Sequence, residues 1–167
     1  IIFYTFRFFP LIFSTPNFLN TMIPLSMSLI FIFIYLSFNT TNIKSIISYL
    51  AFSQVSIIFY IFCLKEYHAA MFYFIPLSLS ITMLYLSIGY VVSKFNNISN
   101  VKVMGGIIFK MPSMFLFTLI AFLSSSGVPF FSGFYSHEVI ISTFYNSEQA
   151  ISVPSILIGI STSFLIS

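Results

Sequence analysis

Apolar residues in this chain run in long unbroken blocks. Residues 18–38, 45–64, 69–93, 112–141 and 151–167 are almost wholly uncharged, and the ionised residues fall between or at the edges of these blocks, apart from His137 and Glu138 inside the fourth. Crossing roughly 30 Å of hydrocarbon takes about 20 residues at 1.5 Å rise each. The pattern therefore predicts an all-α integral membrane protein of about five transmembrane helices. No two-residue alternation supports a barrel. Ser14, Thr15, Pro16 and Asn17 separate a helix tail at 1–13 from the first span. The fourth block carries an internal break near 127–133, and residues 1–167 read as a single transmembrane helical unit.

Composition sharpens this picture. The chain has 167 residues, 59% hydrophobic, 20% aromatic and 5% charged. Soluble domains carry about 25% charged residues, so a soluble or disordered chain is excluded. The net charge of +3 comes from scattered residues, not from a basic patch that could meet nucleic-acid phosphates. The single cysteine excludes a disulfide framework, and no Cys/His ligand spacing, phosphate-binding glycine pattern or nucleophile triad is present, so no metal site is expected. Phe, Ile, Asn, Lys and Tyr share A/T-rich codons. Their abundance, with no recognisable targeting signal, fits a chain made inside a mitochondrion, and an A/T-rich bacterium also fits.

Lysine placement sets an orientation. The loops around Lys44 and from Lys94 to Lys110 hold Lys44, Lys94, Lys102 and Lys110 and belong on one side by alternation. Arg7, Lys65 and Glu66 belong on the other. The lysine-rich side is expected to face the matrix or cytoplasm.

Ionisable and backbone-breaking residues within spans are functional candidates. The run Ser124-Ser125-Ser126-Gly127-Val128-Pro129-Phe130-Phe131-Ser132-Gly133-Phe134-Tyr135-Ser136-His137-Glu138 is the foremost. Pro129 lacks an amide hydrogen, Gly127 and Gly133 relieve the backbone, and the serines can bond freed carbonyls. One reading is a broken helix carrying a proton-exchanging pair, His137 and Glu138. The other is a surface loop joining two short helices. Asn39-Thr40-Thr41-Asn42 ahead of Lys44 and the span from about Ser45 reads as a run of helix-capping residues with a topogenic lysine, the alternative being a proton site. In the second span Tyr49, Ser53 and Ser56 share one face with Gln54 beside it, either as packing contacts to neighbouring helices or as a proton path. Pro76 is expected to kink the third span, and His68 to sit at its mouth. Gly105-Gly106 reads as a turn, with Pro112 opening the next helix.

Several of these strings resemble a known family. Lys102-Val103-Met104-Gly105-Gly106, Lys110-Met111-Pro112 and Gly127-Val128-Pro129-Phe130-Phe131-Ser132-Gly133-Phe134-Tyr135-Ser136 look like the subunit 5 family of mitochondrial NADH:ubiquinone oxidoreductase (respiratory complex I). That family is antiporter-like and related to Mrp-type cation/proton antiporters. Asn42-Ile43-Lys44-Ser45 through Ala51-Phe52-Ser53-Gln54 and Tyr4-Thr5-Phe6-Arg7-Phe8-Phe9-Pro10-Leu11 extend the similarity, which runs from Tyr4 to about Ser142. The Met-Gly-Gly loop also occurs in the sister subunits 2 and 4.

The resemblance implies the second inverted repeat of such a subunit without the first. The chain would then be a split-gene product, with a separate chain supplying the N-terminal half, or a shortened subunit. It implies a multi-pass protein of the mitochondrial inner membrane, in the membrane arm of a respiratory-chain NADH dehydrogenase. There it would take part in proton translocation coupled to electron transport, with other membrane-arm subunits and lipids as partners. It would be an enzyme only as a subunit of this translocase, with FMN, iron–sulfur clusters and ubiquinone elsewhere and no cofactor on this chain. The implied proton pathway uses His137, Glu138, Ser136, Lys44, Gln54, Ser53 and Tyr73, with the helix break at Gly127, Pro129 and Gly133.

Departures from the family pattern matter. His137 and Glu138 replace a Lys-Asp pair, and Asn42 replaces an aspartate. Tyr73, Leu77 and Ile81 stand where members carry two histidines and a lysine. An unperturbed histidine titrates near pH 6.5 and a lysine near 10.4, so a histidine relay needs less tuning than a buried lysine. Three alternatives stay open at this point: a non-pumping structural remnant of the arm, a subunit 2- or 4-type paralogue, and a free-standing cation/proton antiporter fragment.

Overall fold

A computed structural model describes residue 7 and residues 16–146; the helix tail at 1–13, apart from Arg7, and the span expected at 151–167 lie outside the described residues. Six helices are seen among them: α1 (Pro16–Asn39), α2 (Ile43–Cys63), α3 (Tyr67–Lys94), α4 (Ile107–Lys110), α5 (Pro112–Ser125) and α6 (Ser132–Asn146). α1, α2 and α3 are long and apolar enough to cross a membrane, and α5 is a shorter apolar helix. α3 continues through Pro76 without interruption.

Local chemistry sets the helix ends. The Asn42 side chain caps α2 by accepting from the Lys44 amide at 3.2 Å. Pro112 opens α5, where its missing amide hydrogen costs nothing. Gly106, at φ +72°, turns the chain into the single-turn α4.

α1 packs on α2, α2 on α3, and α3 receives both α5 and α6. α2 is the central helix, with 56% of its apolar window buried against 11% for α1. One core cluster joins α1, α2, α3 and α6 through Ile30, Ile58, Phe62, Ala70 and Ile140. A second joins α2, α3 and α5 through Ile47, Leu84, Ile88 and Ala121. Leu25, Ile32, Leu79, Leu86 and Leu116 point outward. An apolar outer surface of this kind suits lipid and neighbouring helices, not water.

The two lysine-bearing loops meet at one end of the bundle. The Ile43 amide donates to Ser99 O at 2.9 Å and the Val101 amide to Thr41 O at 3.0 Å, around an antiparallel bridge between Asn42 and Asn100. Lys44, Lys94, Lys102 and Lys110 thus share a face, as alternation of the spans requires.

Candidate functional site at the helix break

The fourth apolar block divides at residues 126–131. Val128 N reaches back to Leu123 O at 3.2 Å while Gly127 adopts φ +74°, a left-handed ending to α5. Ser125 and Ser126 hydroxyls donate to Phe122 O and Leu123 O, so the serines satisfy last-turn carbonyls as the sequence implies. Phe130 takes φ +78°, a strained value for a residue with a side chain. α6 then begins at Ser132.

Two glycines allow this geometry. A Cβ on Gly133 would lie 1.7 Å from the Ser124 carbonyl oxygen, so the start of α6 crosses the end of α5 at backbone contact. A Cβ on Gly127 would lie 2.8 Å from His137 Cδ2, so the imidazole rests on the bare backbone of the break.

His137 is 7% exposed. Its Nε2 lies 3.4 Å from the Ser125 carbonyl oxygen, a long contact at the limit of hydrogen bonding. Its ring meets Tyr73 of α3 edge to face, with centroids 5.3 Å apart. The Tyr73 hydroxyl donates to Gln54 Oε1 on α2. Gln54, Tyr73 and His137 therefore form a continuous buried contact across three helices, with Ser125 at the end of α5 as a fourth member. Gln54 Nε2 and His137 Nδ1 are buried and have no hydrogen-bond partner among the described residues. A cavity of about 20 Å³ beside Gln54 is walled by Leu77, Ile81 and Ser125. That is room for one water.

The remaining sequence candidates separate from this cluster. Glu138, next in sequence to His137, is exposed, because successive helical residues point about 100° apart. Lys44 is exposed in the first turn of α2, about 15 Å along the helix from Gln54. Ser53 and Ser136 are buried, but their hydroxyls bond Leu50 O and Gly133 O of their own helices. Ser56 likewise bonds Phe52 O, so these serines do not tie α2 to its neighbours. The cause is simple: a short hydroxyl in a helix reaches its own preceding turn first. Gln54, with a longer side chain, makes the interhelical bond. His68 is exposed at the start of α3. Sequence reasoning missed the Ser125 carbonyl as the imidazole's partner. The available signal was that a helix end at Ser125 leaves its last carbonyls without intrahelical donors.

No group of three or more His, Cys, Asp or Glu side chains able to hold a metal occurs among the described residues.

Residues 1–165 match the family described as NADH:quinone oxidoreductase/Mrp antiporter, transmembrane. A protein of Lycodon semicarinatus named NADH-ubiquinone oxidoreductase chain 5 is 36% identical over 106 residues, 64% of this chain and 18% of the relative. A Wickerhamomyces canadensis protein of the same name is 30% identical over 109 residues, 65% of this chain and 17% of the relative. A Pongo pygmaeus protein, also of that name, is 25% identical over 166 residues, covering 98% of this chain and 28% of its own length. The matched stretch is thus less than a third of each of these relatives. With the family match running over nearly every residue, the chain belongs to the NADH:quinone oxidoreductase/Mrp antiporter transmembrane family.

Proposed function

We propose that this chain is part of the membrane arm of a proton-translocating NADH:ubiquinone oxidoreductase and that it contributes a proton-exchanging imidazole there. The observation that carries the reading is His137, held inside a broken apolar helix and in contact with Tyr73, which is itself bonded to Gln54. An imidazole changes charge near neutral pH, and a tyrosine hydroxyl both donates and accepts. His137 exchanges the proton, Tyr73 orients the imidazole and offers the next oxygen, and Gln54 fixes the Tyr73 hydroxyl. The Ser125 carbonyl holds Nε2 on the other side. Buried polar atoms without partners are costly, so Gln54 Nε2 and His137 Nδ1 mark where water or a neighbouring subunit completes the path. Glu138 and Lys44 serve outside the relay, at its approaches. The lysine-bearing face lies toward the mitochondrial matrix, and a further chain or segment supplies the rest of the subunit. Flavin, iron–sulfur clusters and ubiquinone belong to other parts of the enzyme.

The test is His137→Leu in the intact complex. The number of protons moved per NADH oxidised should fall while assembly persists. An unchanged stoichiometry would remove the relay role.

One observation favours a second reading, a structural piece of the arm that does not pump. Leu77 and Ile81 occupy the α3 positions where the family resemblance places bases, and they wall the small cavity at Gln54. On that reading His137→Leu leaves proton stoichiometry intact and lowers only the amount of assembled complex.

A further inference from the structure

The two ring nitrogens of His137 have different surroundings, and the difference starts at Gly127. This residue takes φ +74° at the end of α5. A Cβ there would lie 2.8 Å from Cδ2, 3.3 Å from Cγ and 3.5 Å from Nε2 of His137. The Cδ2–Nε2 edge of the imidazole is therefore the edge turned to the helix break, over the space that glycine leaves empty. That edge carries Nε2 to 3.4 Å from the Ser125 carbonyl oxygen. Nδ1 lies across the ring from it, buried and without a hydrogen-bond partner among the described residues.

Hydrogen-bond chemistry then assigns the protons. A backbone carbonyl only accepts, and in a neutral imidazole one nitrogen donates while the other accepts. The nitrogen facing Ser125 must carry the hydrogen, because a bare lone pair there would meet the lone pairs of the oxygen. Nδ1 is left as the acceptor. A proton on Nε2 has nowhere to go, since an amide oxygen is too weak a base to take it up near neutral pH. A proton arriving at Nδ1 gives the imidazolium, whose Nε2–H bond to Ser125 becomes charge-assisted and tighter. Release from the same Nδ1 restores the neutral ring, and Nε2–H is kept throughout. Tyr73 of α3 touches the ring, but its hydroxyl proton is donated to Gln54 Oε1. Glu138 of α6 is exposed and turned away.

On the reading that His137 exchanges protons, on which this rests, we propose that Gly127 is a positioning residue. It leaves room for the Cδ2–Nε2 edge against Ser125 and so holds His137 as the Nε2–H tautomer. Nδ1 is then the atom that takes up and gives back the proton, with water as its exchange partner. A side chain at 127 pushes the edge off the carbonyl and frees the proton to sit on either nitrogen.

Nitrogen NMR of the intact complex decides this, with histidine isotope-labelled at Nδ1 in one sample and at Nε2 in another. Signals missing from the His137→Gln complex belong to His137. Well above the ordinary histidine midpoint of about 6.5, where the ring is neutral, Nε2 should be protonated and Nδ1 bare. Gly127→Ala should mix the two tautomers and lower the number of protons moved per NADH while ubiquinone reduction continues. Gly106→Ala is the comparison: it carries the same left-handed strain, at φ +72°, but nothing lies within 4 Å of its added carbon. Its spectrum and stoichiometry should match the unmodified complex. A proton found on Nδ1 overturns the tautomer and leaves the relay reading standing. Unmixed tautomers or full stoichiometry in Gly127→Ala overturn the positioning role. An Nε2–H ring in a complex whose stoichiometry survives His137→Leu overturns the relay, and exchange at Nδ1 falls with it. The first spectrum needs no substitution at 127, so the tautomer is decided even where Gly127→Ala does not assemble.

Discussion

α2 and α3 build two apolar interiors, and only one of them carries a polar bridge between helices among the described residues. Toward the Lys65 end, Gln54, Tyr73 and His137 reach one another across three helices. Toward the Lys44 end, Ile47, Leu84, Ile88, Val92 and Ala121 pack without a polar bridge. Ser87 is buried in that half, but its hydroxyl turns back on Met83 O and Leu84 O. The contrast teaches that polarity inside these helices couples them only where a side chain is long enough to leave its own turn. It also locates the shorter approach to the imidazole. Tyr73 stands about 9 Å along α3 from Tyr67, and the apolar half separates it from the lysine-bearing face.

The joint between the two interiors is where disruption should be most severe. Gly133→Val would place a Cβ 1.7 Å from the Ser124 carbonyl oxygen, a backbone atom that cannot turn aside. α5 and α6 must then separate, and His137 leaves Tyr73. The expected cost is above about 4 kcal/mol, within the range of severe core disruptions. Native electrophoresis should show loss of the assembled complex. Gly105→Ala is the control: nothing lies within 4 Å of its added carbon, and assembly should persist.

The next variants set the two interiors against each other. Ile88→Ala opens a cavity in the apolar half, away from the small cavity at Gln54, and lost dispersion contacts should cost about 2–3 kcal/mol. The amount of complex should fall, with proton stoichiometry per NADH unchanged. Tyr73→Phe keeps the ring against His137 but strips Gln54 Oε1 of its donor, at about 1–3 kcal/mol for a buried acceptor left unpaired. Here the stoichiometry should fall while ubiquinone reduction continues. If Ile88→Ala lowers stoichiometry as strongly as Tyr73→Phe, the division of labour between the halves is lost.

Much of the fold was legible in the chain. Continuous apolar blocks announce helices, the Asn/Thr run at 39–42 announces a cap, and Pro112 announces a helix start, because each acts on the backbone nearest to it. The break was legible for the same reason, since Gly127, Pro129 and Gly133 act locally. Tyr73 was legible only through register against a family pattern, and its bond to Gln54 is a tertiary fact that spacing along either helix does not contain. Periodicity grouped Ser53 and Ser56 with Gln54, yet reach decides between them: the serines fold back and the amide crosses. Adjacency grouped Glu138 with His137, yet the turn of the helix sends one outward and the other inward. α4 was hidden because four residues carry no period.

The smallest effect belongs to Ser80, buried on α3 between the two interiors. Its hydroxyl donates to Leu77 O of its own helix at 3.0 Å. That carbonyl can remain in the helical ladder when the hydroxyl is removed, and alanine has a higher helix propensity than serine. Ser80→Ala should therefore change stability by less than about 1 kcal/mol, from a lost local hydrogen bond set against gained propensity. Complex abundance and proton stoichiometry should both stay at the level of the unmodified chain. A fall in stoichiometry would mean that Ser80 releases its own carbonyl and turns toward Gln54 during turnover. The polar half would then extend past Leu77 and Leu84 toward the lysine-bearing face, and the boundary drawn between the two interiors would move with it.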